Sequence, residues 1–211
     1  MLELGLKFTL AYLLGSVLGG LVVGQLHGGI DIRRVGSGNA GGTNALRTQG
    51  KVFAIWVLVI DVGKGVLSVL VLPTLDIPGI GIDPLLSREV IAYAAGFAAL
   101  LGHVYPLWYD FRGGKGGATA VGVLCVVAPS LAVPVIVFWF VVSALTGYVG
   151  LATMGTAVGA AAYLGITGLP DAYRLFVLST LIAVFLIFTH RTNIARMWQG
   201  TEHRMRLFRS G

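Results

Sequence analysis

Apolar runs long enough to cross a lipid bilayer, divided by mostly short polar segments, decide most of what this chain can become. A helix needs about 20 predominantly apolar residues to span the hydrocarbon. The sequence offers candidate helices at residues 3–26, 52–74, 89–109, 117–128, 131–146, 151–168 and 173–190. Lipid has no donors or acceptors for backbone groups, so only helices or a closed barrel satisfy the peptide there. The runs are continuously apolar rather than alternating, which selects helices. Composition agrees: of 211 residues, 56% are hydrophobic and 11% charged, where a soluble domain carries about 25% charged residues. The fold expected is an all-α membrane protein of about seven transmembrane helices, with residues 1–211 forming a single domain.

Charge placement orients it. The net charge of +6 would raise nucleic acid as a partner for a soluble protein, but here the basic residues gather between apolar runs, so membrane topology explains them and no nucleic acid is implied. With seven helices and the N-terminus outside, segments 27–51, 110–116 and the tail face the cytoplasm together. They carry Arg33, Arg34, Arg47, Lys51, Arg112, Lys115, Arg191, Arg196, Arg204, Arg206 and Arg209, most of the 15 basic residues. Six helices would put the tail arginines outside, against the positive-inside rule. The expected topology is therefore N-terminus outside and C-terminus cytoplasmic. Pro129-Ser130 and Pro134 divide the stretch 118–145 into two helices, although twelve residues at 117–128 reach only about 18 Å. Cys125 is the only cysteine, so no intramolecular disulfide forms. Glu3, Lys7 and the lack of a small-residue cleavage site make the first run a retained helix rather than a signal peptide.

Glycines recur at helical spacing at Gly15 and Gly19, Gly20 and Gly24, and Gly155 and Gly159, a pattern suited to close helix packing in membranes. Asp61 and Lys64 stand three apart inside the second run. An isolated charge at that depth costs at least about 2.5–3.5 kcal/mol, and the spacing puts both on one face. They are either a neutralising structural pair or a cation beneath an anionic substrate.

Three polar segments carry the chemistry. The first runs Gly36-Ser37-Gly38-Asn39-Ala40-Gly41-Gly42-Thr43-Asn44-Ala45-Leu46-Arg47. Its glycines can turn backbone amides towards one point, and Arg47 offers a planar fork for phosphate or carboxylate. A flexible polar loop is the plain alternative. The second comprises Gly102-His103-Val104-Tyr105-Pro106 and Asp110-Phe111-Arg112-Gly113-Gly114-Lys115-Gly116-Gly117-Ala118-Thr119. It sets Lys115 among glycines immediately before a helix, whose N-terminal amides already favour an anion. It is not a Walker A loop: Tyr109 and Gly116 occupy positions that need Gly and Ser/Thr. The third is His190-Arg191-Thr192-Asn193-Ile194-Ala195-Arg196 with Gly200-Thr201-Glu202. His190 and Asn193 share a helical face there, although a histidine at a membrane boundary is often only an interfacial polar residue. All three segments fall on one membrane face, which points to a phosphate-bearing, lipid-linked substrate.

These segments resemble the bacterial integral membrane glycerol-3-phosphate acyltransferases that use acyl phosphate. The family pattern S-G-N-x-G-x-T-N-x-x-R is matched from Ser37 to Arg47, G-H-x-x-P…F-x-G-G-K-G-x-A-T from Gly102 to Thr119, and H-x-x-N-I-x-R…G-x-E from His190 to Glu202. The likeness covers nearly the whole chain. One departure is Tyr148-Val149-Gly150-Leu151-Ala152-Thr153, where the family usually has Tyr-x-Ser-Leu-x-Ser. Gly150 replaces the first serine, and Thr153 keeps the second hydroxyl.

The resemblance implies acyl transfer from acyl phosphate to the sn-1 hydroxyl of glycerol 3-phosphate, giving lysophosphatidic acid and inorganic phosphate, at the bacterial cytoplasmic (inner) membrane with the site facing the cytoplasm. No cofactor, coenzyme A or metal is implied. Ser37, Arg47, Lys115, His190 and Asn193 are the candidate catalytic residues. Gly38, Asn39, Gly41, Thr43, Asn44, Gly113, Gly114, Gly116 and Thr153 are candidates for binding phosphate. Asp61, Lys64, His103 and Glu202 are structural or substrate-linked, Glu202 by tying the tail to nearby arginines. His190 is read as an orienting residue ahead of a general base, a role a substrate phosphate can take. The four histidines lie in separate segments without metal-ligand spacing, and the His-x4-Asp pair of coenzyme A-dependent acyltransferases is absent. A transporter of phosphorylated solutes is the main alternative. It is disfavoured by polar motifs on one face and by the lack of an inverted repeat. A noncatalytic membrane scaffold is a further alternative, but it would not need three anion-binding motifs.

Overall fold

The computed structural model describes residues 1–205; Arg206 and Arg209 lie outside the described residues. Among the described residues the regular structure is entirely helical. Two compact units divide the chain after Val127.

The first unit holds α1 (Leu2–Gly15), α2 (Gly19–Leu26), α3 (Gly42–Gln49), α4 (Lys51–Leu70), α5 (Arg88–Val104) and α6 (Gly117–Val127), with single 3-10 turns at Ile32–Arg34, Leu72–Thr74 and Leu107–Tyr109. The apolar run expected as one helix over 3–26 is broken: α1 and α2 meet at 44°. Residues from a distant helix hold the break open. Lys64 Nζ donates to the carbonyls of Gly15 and Val17, both at 2.8 Å, capping the end of α1. Asp61 Oδ1 accepts from the Gly19 amide at 3.1 Å, at the start of α2. The two side chains also pair at 3.1 Å, each almost wholly buried.

Close backbone crossings organise this unit. α1 runs along α5 and α4 along α6. A Cβ at Gly15 would meet the Ala99 backbone, one at Gly102 the Tyr12 carbonyl, and one at Gly65 or Gly122 the facing helix backbone. The packing reading of the sequence holds for Gly15, Gly19, Gly20 and Gly24, each against backbone of another segment; Gly155 meets only a phenylalanine ring edge and Gly159 meets nothing. At the other end of α1, Glu3 and Lys7 are buried. Lys7 Nζ bonds Glu3 at 2.9 Å and the Pro73 carbonyl at 2.8 Å, and Arg88 bonds the same two partners.

The second unit contains α7 (Pro129–Thr146), α8 (Val149–Thr167), α9 (Tyr173–Thr189) and α10 (Arg191–Trp198). α8 packs between α7 and α9. The divide expected within 118–145 falls at Ala128, whose backbone leaves the helical region, with Pro129 opening α7 and Pro134 carried inside it.

Among the described residues four helices are long and apolar enough to cross a membrane by themselves, and up to six spans result if the bent pairs α1/α2 and α9/α10 each count as one. α6, with 11 residues, extends only about 16 Å. Large apolar side chains such as Val133, Phe138, Phe140 and Leu145 on α7 remain exposed, as a lipid-facing helix requires.

Candidate active site

Both glycine-rich segments of the first unit end at a helix N-terminus. The first was expected as an irregular loop, yet residues Gly42–Gln49 form α3, with Gly41 as its N-cap. Gly36 and Gly38 sit at φ +60° and +72°, a backbone region that side chains disfavour. These turns leave Ser37 exposed just ahead of α3, and Arg47 lies exposed on α3 itself. Asn44 is 2% exposed, and its amide is consumed in shaping the loop. Nδ2 donates to the carbonyls of Ile32, Val35 and Asn39 at 2.8, 3.0 and 3.0 Å, while Oδ1 accepts from the Ser37 amide at 2.9 Å. Asn39 Oδ1 accepts from the Gly41 amide at 2.9 Å. The Asn44 side chain thus fixes the shape of the loop. Thr43 is half-buried in the first turn of α3, where backbone amides lack intrahelical partners.

The second segment folds back on the end of α5. Gly113 and Gly114 donate their amides to the carbonyls of Val104 and His103 at 3.1 and 3.0 Å. The His103 ring lies buried beneath them, with Nδ1 3.4 Å from Asp61 Oδ1. A Cβ at Gly114 would strike His103 Nε2, so the glycine is what lets the loop close over the imidazole. Gly116 adopts φ +89°, and its carbonyl accepts from the Ala120 amide at 2.8 Å, starting α6. Lys115 is thus carried, half-buried, two residues before the start of α6.

Arg33 joins the two segments. Its Nε and one terminal nitrogen grip both oxygens of Asp31 at 3.0 and 2.9 Å, and the other terminal nitrogen donates to the carbonyls of Tyr109 and Arg112, each at 3.2 Å. The Arg33 hydrogen bonds hold the Asp31 carboxyl below the usual carboxylate pKa range. An open groove of about 410 Å³ lies alongside, with Leu21, Val22, Leu26 and Ile30 on its wall and Arg33 and Tyr109 at its rim. In the sequence Arg33 stands out only as one of the basic residues that set topology, and the Asp31–Arg33 spacing is the local signal for this grip.

Lys64, 3% exposed, spends its three N–H donors on Gly15, Val17 and Asp61. Between the two readings of this residue, the geometry favours the structural pair.

In the second unit, α9 and α10 meet at 54° at His190. Its Nδ1 stands 2.8 Å from the Leu186 carbonyl. A carbonyl only accepts, so Nδ1 carries a proton in this contact. Asn193, 8% exposed, donates from Nδ2 to Glu202 Oε1 at 2.7 Å, and Arg196 Nε meets Glu202 Oε2 at 2.6 Å. Gly150 leaves room for Asn193: a Cβ there would lie 3.1 Å from its Cβ, Cγ and Nδ2. Thr153 Oγ1 donates to the Val149 carbonyl at 2.9 Å and accepts from Trp139 Nε1 at 3.1 Å, so its hydroxyl is engaged within the helix pair. Asn193 and Glu202 are thus brought together, whereas Thr153 bonds elsewhere.

Comparison with known proteins gives this geometry a family. The glycerol-3-phosphate acyltransferase family model matches residues 6–200. The glycerol-3-phosphate acyltransferase of Bacillus velezensis is 41% identical over 205 residues, covering 97% of this chain and 99% of that protein. Two crystal structures of PlsY (YgiH), an integral membrane glycerol 3-phosphate acyltransferase, are similar in fold. The glycerol 3-phosphate form has a TM-score of 0.82 at 36% identity, covering 96% of this chain and 95% of that one. The lysophosphatidic acid form has a TM-score of 0.80 at 35% identity, covering 95% and 94%. Agreement this extensive, over sequence and backbone alike, shows that the chain belongs to the glycerol-3-phosphate acyltransferase family.

Proposed function

We propose that the protein transfers an acyl group from acyl phosphate to the sn-1 hydroxyl of glycerol 3-phosphate, releasing lysophosphatidic acid and inorganic phosphate as the first step of bacterial phospholipid synthesis. The observation that carries this is the pair of glycine-rich segments, each opening a helix N-terminus and each followed or accompanied by a cation, Arg47 or Lys115. Aligned peptide dipoles and unpaired amides at such ends stabilise anions, and both substrates bring phosphate. The relatives' names and the two ligand forms of PlsY support the acceptor and the product.

Acyl phosphate is a mixed anhydride, so the chemistry needs position and charge stabilisation more than a strong base. The glycerol hydroxyl oxygen bonds to the acyl carbon, the bond from that carbon to the phosphate oxygen breaks, and the hydroxyl proton passes to the departing phosphate. Ser37, Thr43 and the loop at Gly38, Asn39 and Gly41 are assigned to the acyl phosphate, with Asn44 holding its shape and the Gly38 and Gly41 amides already donated to Val35 and Asn39. Arg47 and Lys115, the latter framed by Gly113, Gly114 and Gly116, are assigned to phosphate oxygens. His190 and Asn193 are assigned to orienting glycerol 3-phosphate, with Glu202 fixing the Asn193 amide. The apolar wall of the 410 Å³ groove suits the start of an acyl chain. Thr153 has the weakest claim to a ligand, since its hydroxyl already has two partners.

The same reading makes residues 1–211 one catalytic domain with seven spans, the short α6 included, the N-terminus outside and the three motif segments at the cytoplasmic face of the inner membrane. It needs neither coenzyme A nor a cofactor.

The test is purified protein in detergent with glycerol 3-phosphate and palmitoyl phosphate, without metal or coenzyme A. Equal amounts of phosphate and lysophosphatidic acid, both lost when palmitoyl-coenzyme A replaces the donor, are expected. Phosphate without lipid would mean hydrolysis alone and would overturn the reading.

A further inference from the structure

We infer that Arg33 is a positioning residue that locks the Lys115 segment to the first glycine-rich loop. The inference rests on the proposed function for what those loops hold. Arg33 is half-buried, with 24% of its side chain exposed, whereas the adjacent Arg34 is 86% exposed. It reaches across 76 and 79 residues of sequence to the carbonyls of Tyr109 and Arg112. Its guanidinium also stands 5.8 Å from the Tyr109 ring centre.

The turn that Arg33 grips is a strained one. Asp110 and Phe111, between the two bonded carbonyls, adopt φ +55° and +57°, a conformation that residues with a Cβ take at a cost. Such backbone persists only when its surroundings fix it. Gly113 to Gly116 follow directly, so a shift in this turn is passed to Lys115. On the other side, Arg33 sits three residues ahead of Gly36, and its own amide bonds Asp31 Oδ1 at 3.0 Å. Asp31 orients the guanidinium from one edge while the two carbonyls take the other. Lysine has the charge but not a planar fork, and cannot hold a carboxylate edge and two remote carbonyls at once. The role belongs to the shape of the side chain rather than to its charge, and Arg33 acts on substrate through Lys115.

The test compares wild-type protein with Arg33→Lys in detergent, reading thermal midpoint, amide hydrogen exchange across residues 105–116, and KM and kcat for glycerol 3-phosphate with palmitoyl phosphate. Losing about one net hydrogen bond predicts roughly tenfold faster exchange in that segment and roughly tenfold higher KM. The midpoint and exchange in α5 should stay near wild type, and kcat should fall less than KM rises. Unchanged exchange with raised KM would mean that Arg33 touches substrate itself, and unchanged KM would mean that the lock has no bearing on function; either overturns the inference. If Arg33→Lys does not fold, Asp31→Asn, which keeps the guanidinium and loosens its grip, is read by the same exchange and KM, its thermal midpoint falling below wild type with the loss of the Asp31 charge. Failure of both to fold would make the pair a folding element and overturn it too. If wild-type protein makes no lipid product, the proposed reaction falls, and exchange together with calorimetric binding of glycerol 3-phosphate decides the inference alone.

Discussion

Replacing Lys64 with methionine should cost far more than its position away from the glycine-rich loops suggests. The side chain is 3% exposed and pairs with Asp61, which is 1% exposed. Removing one partner of a buried pair strands the other charge, at about 3–5 kcal/mol. The carbonyls of Gly15 and Val17 lose their donor as well, and each orphaned acceptor adds up to about 1–3 kcal/mol. Taking only the lower bound of the stranded charge, about 3 kcal/mol, a chain of this size loses about 6–12 °C of thermal midpoint at roughly 2–4 °C per kcal/mol. The assay is the loss of monodisperse protein on size exclusion after heating in detergent. The double variant Asp61→Asn with Lys64→Met removes the stranded charge, and should recover at least part of the loss because a neutral replacement for a buried pair is often tolerated. Wild-type melting of Lys64→Met, or a double variant that melts lower than the single, would refute the assignment of these residues to the break between α1 and α2.

Asn44→Ala removes hydrogen bonds to four backbone groups. At about 1 kcal/mol each, it should lower turnover well over tenfold and also lower the melting temperature; Asn44→Asp, which keeps only the acceptor, should rescue little of either. Gly150→Ser sets a Cβ 3.1 Å from Asn193, so steady-state kinetics should show a several-fold rise in KM for glycerol 3-phosphate, with a thermal midpoint near wild type. The Asp31 carboxyl is held below its ordinary value of 3.8, chiefly by the Arg33 hydrogen bonds. Its contribution to stability is therefore complete above that value and fades as pH falls through it towards the lowered one. Asp31→Asn should accordingly melt below wild type at pH 7, with the gap closing in acid and not between pH 5 and 8.

The spans were legible because lipid leaves a chain few alternatives: continuous apolar runs at 52–74, 89–109 and 173–190 are helical with ends shifted by only a few residues or closed by a 3-10 turn. The break at Ser16–Leu18 was not legible. Nothing in that apolar stretch announces it, and the residues that hold it stand more than forty positions later. The short helix α3 was missed because glycine, threonine and asparagine at its start also read as turn formers, whereas the helical face of His190 and Asn193 was expected and only the 54° bend that sets α10 apart was not. The glycine-rich segments could be seen because their donors are contiguous in sequence. The division of labour inside them could not, since whether Asn44 faces ligand or backbone depends on where Ile32 and Val35 have folded.

The buried charges of the first unit have a consequence for how the protein enters its membrane. Glu3 and Lys7 pair within α1 at i,i+4, and Asp61 and Lys64 pair within α4 at i,i+3. Each helix thus carries its own counter-ion, and can leave the insertion machinery as a nearly neutral rod before any other span has been made. The bonds that join helices, from Lys64 to Gly15 and from Arg88 to Glu3, are added only when those rods meet. Biogenesis can then proceed one span at a time, with neither charge of a pair left waiting in lipid for a partner still on the ribosome.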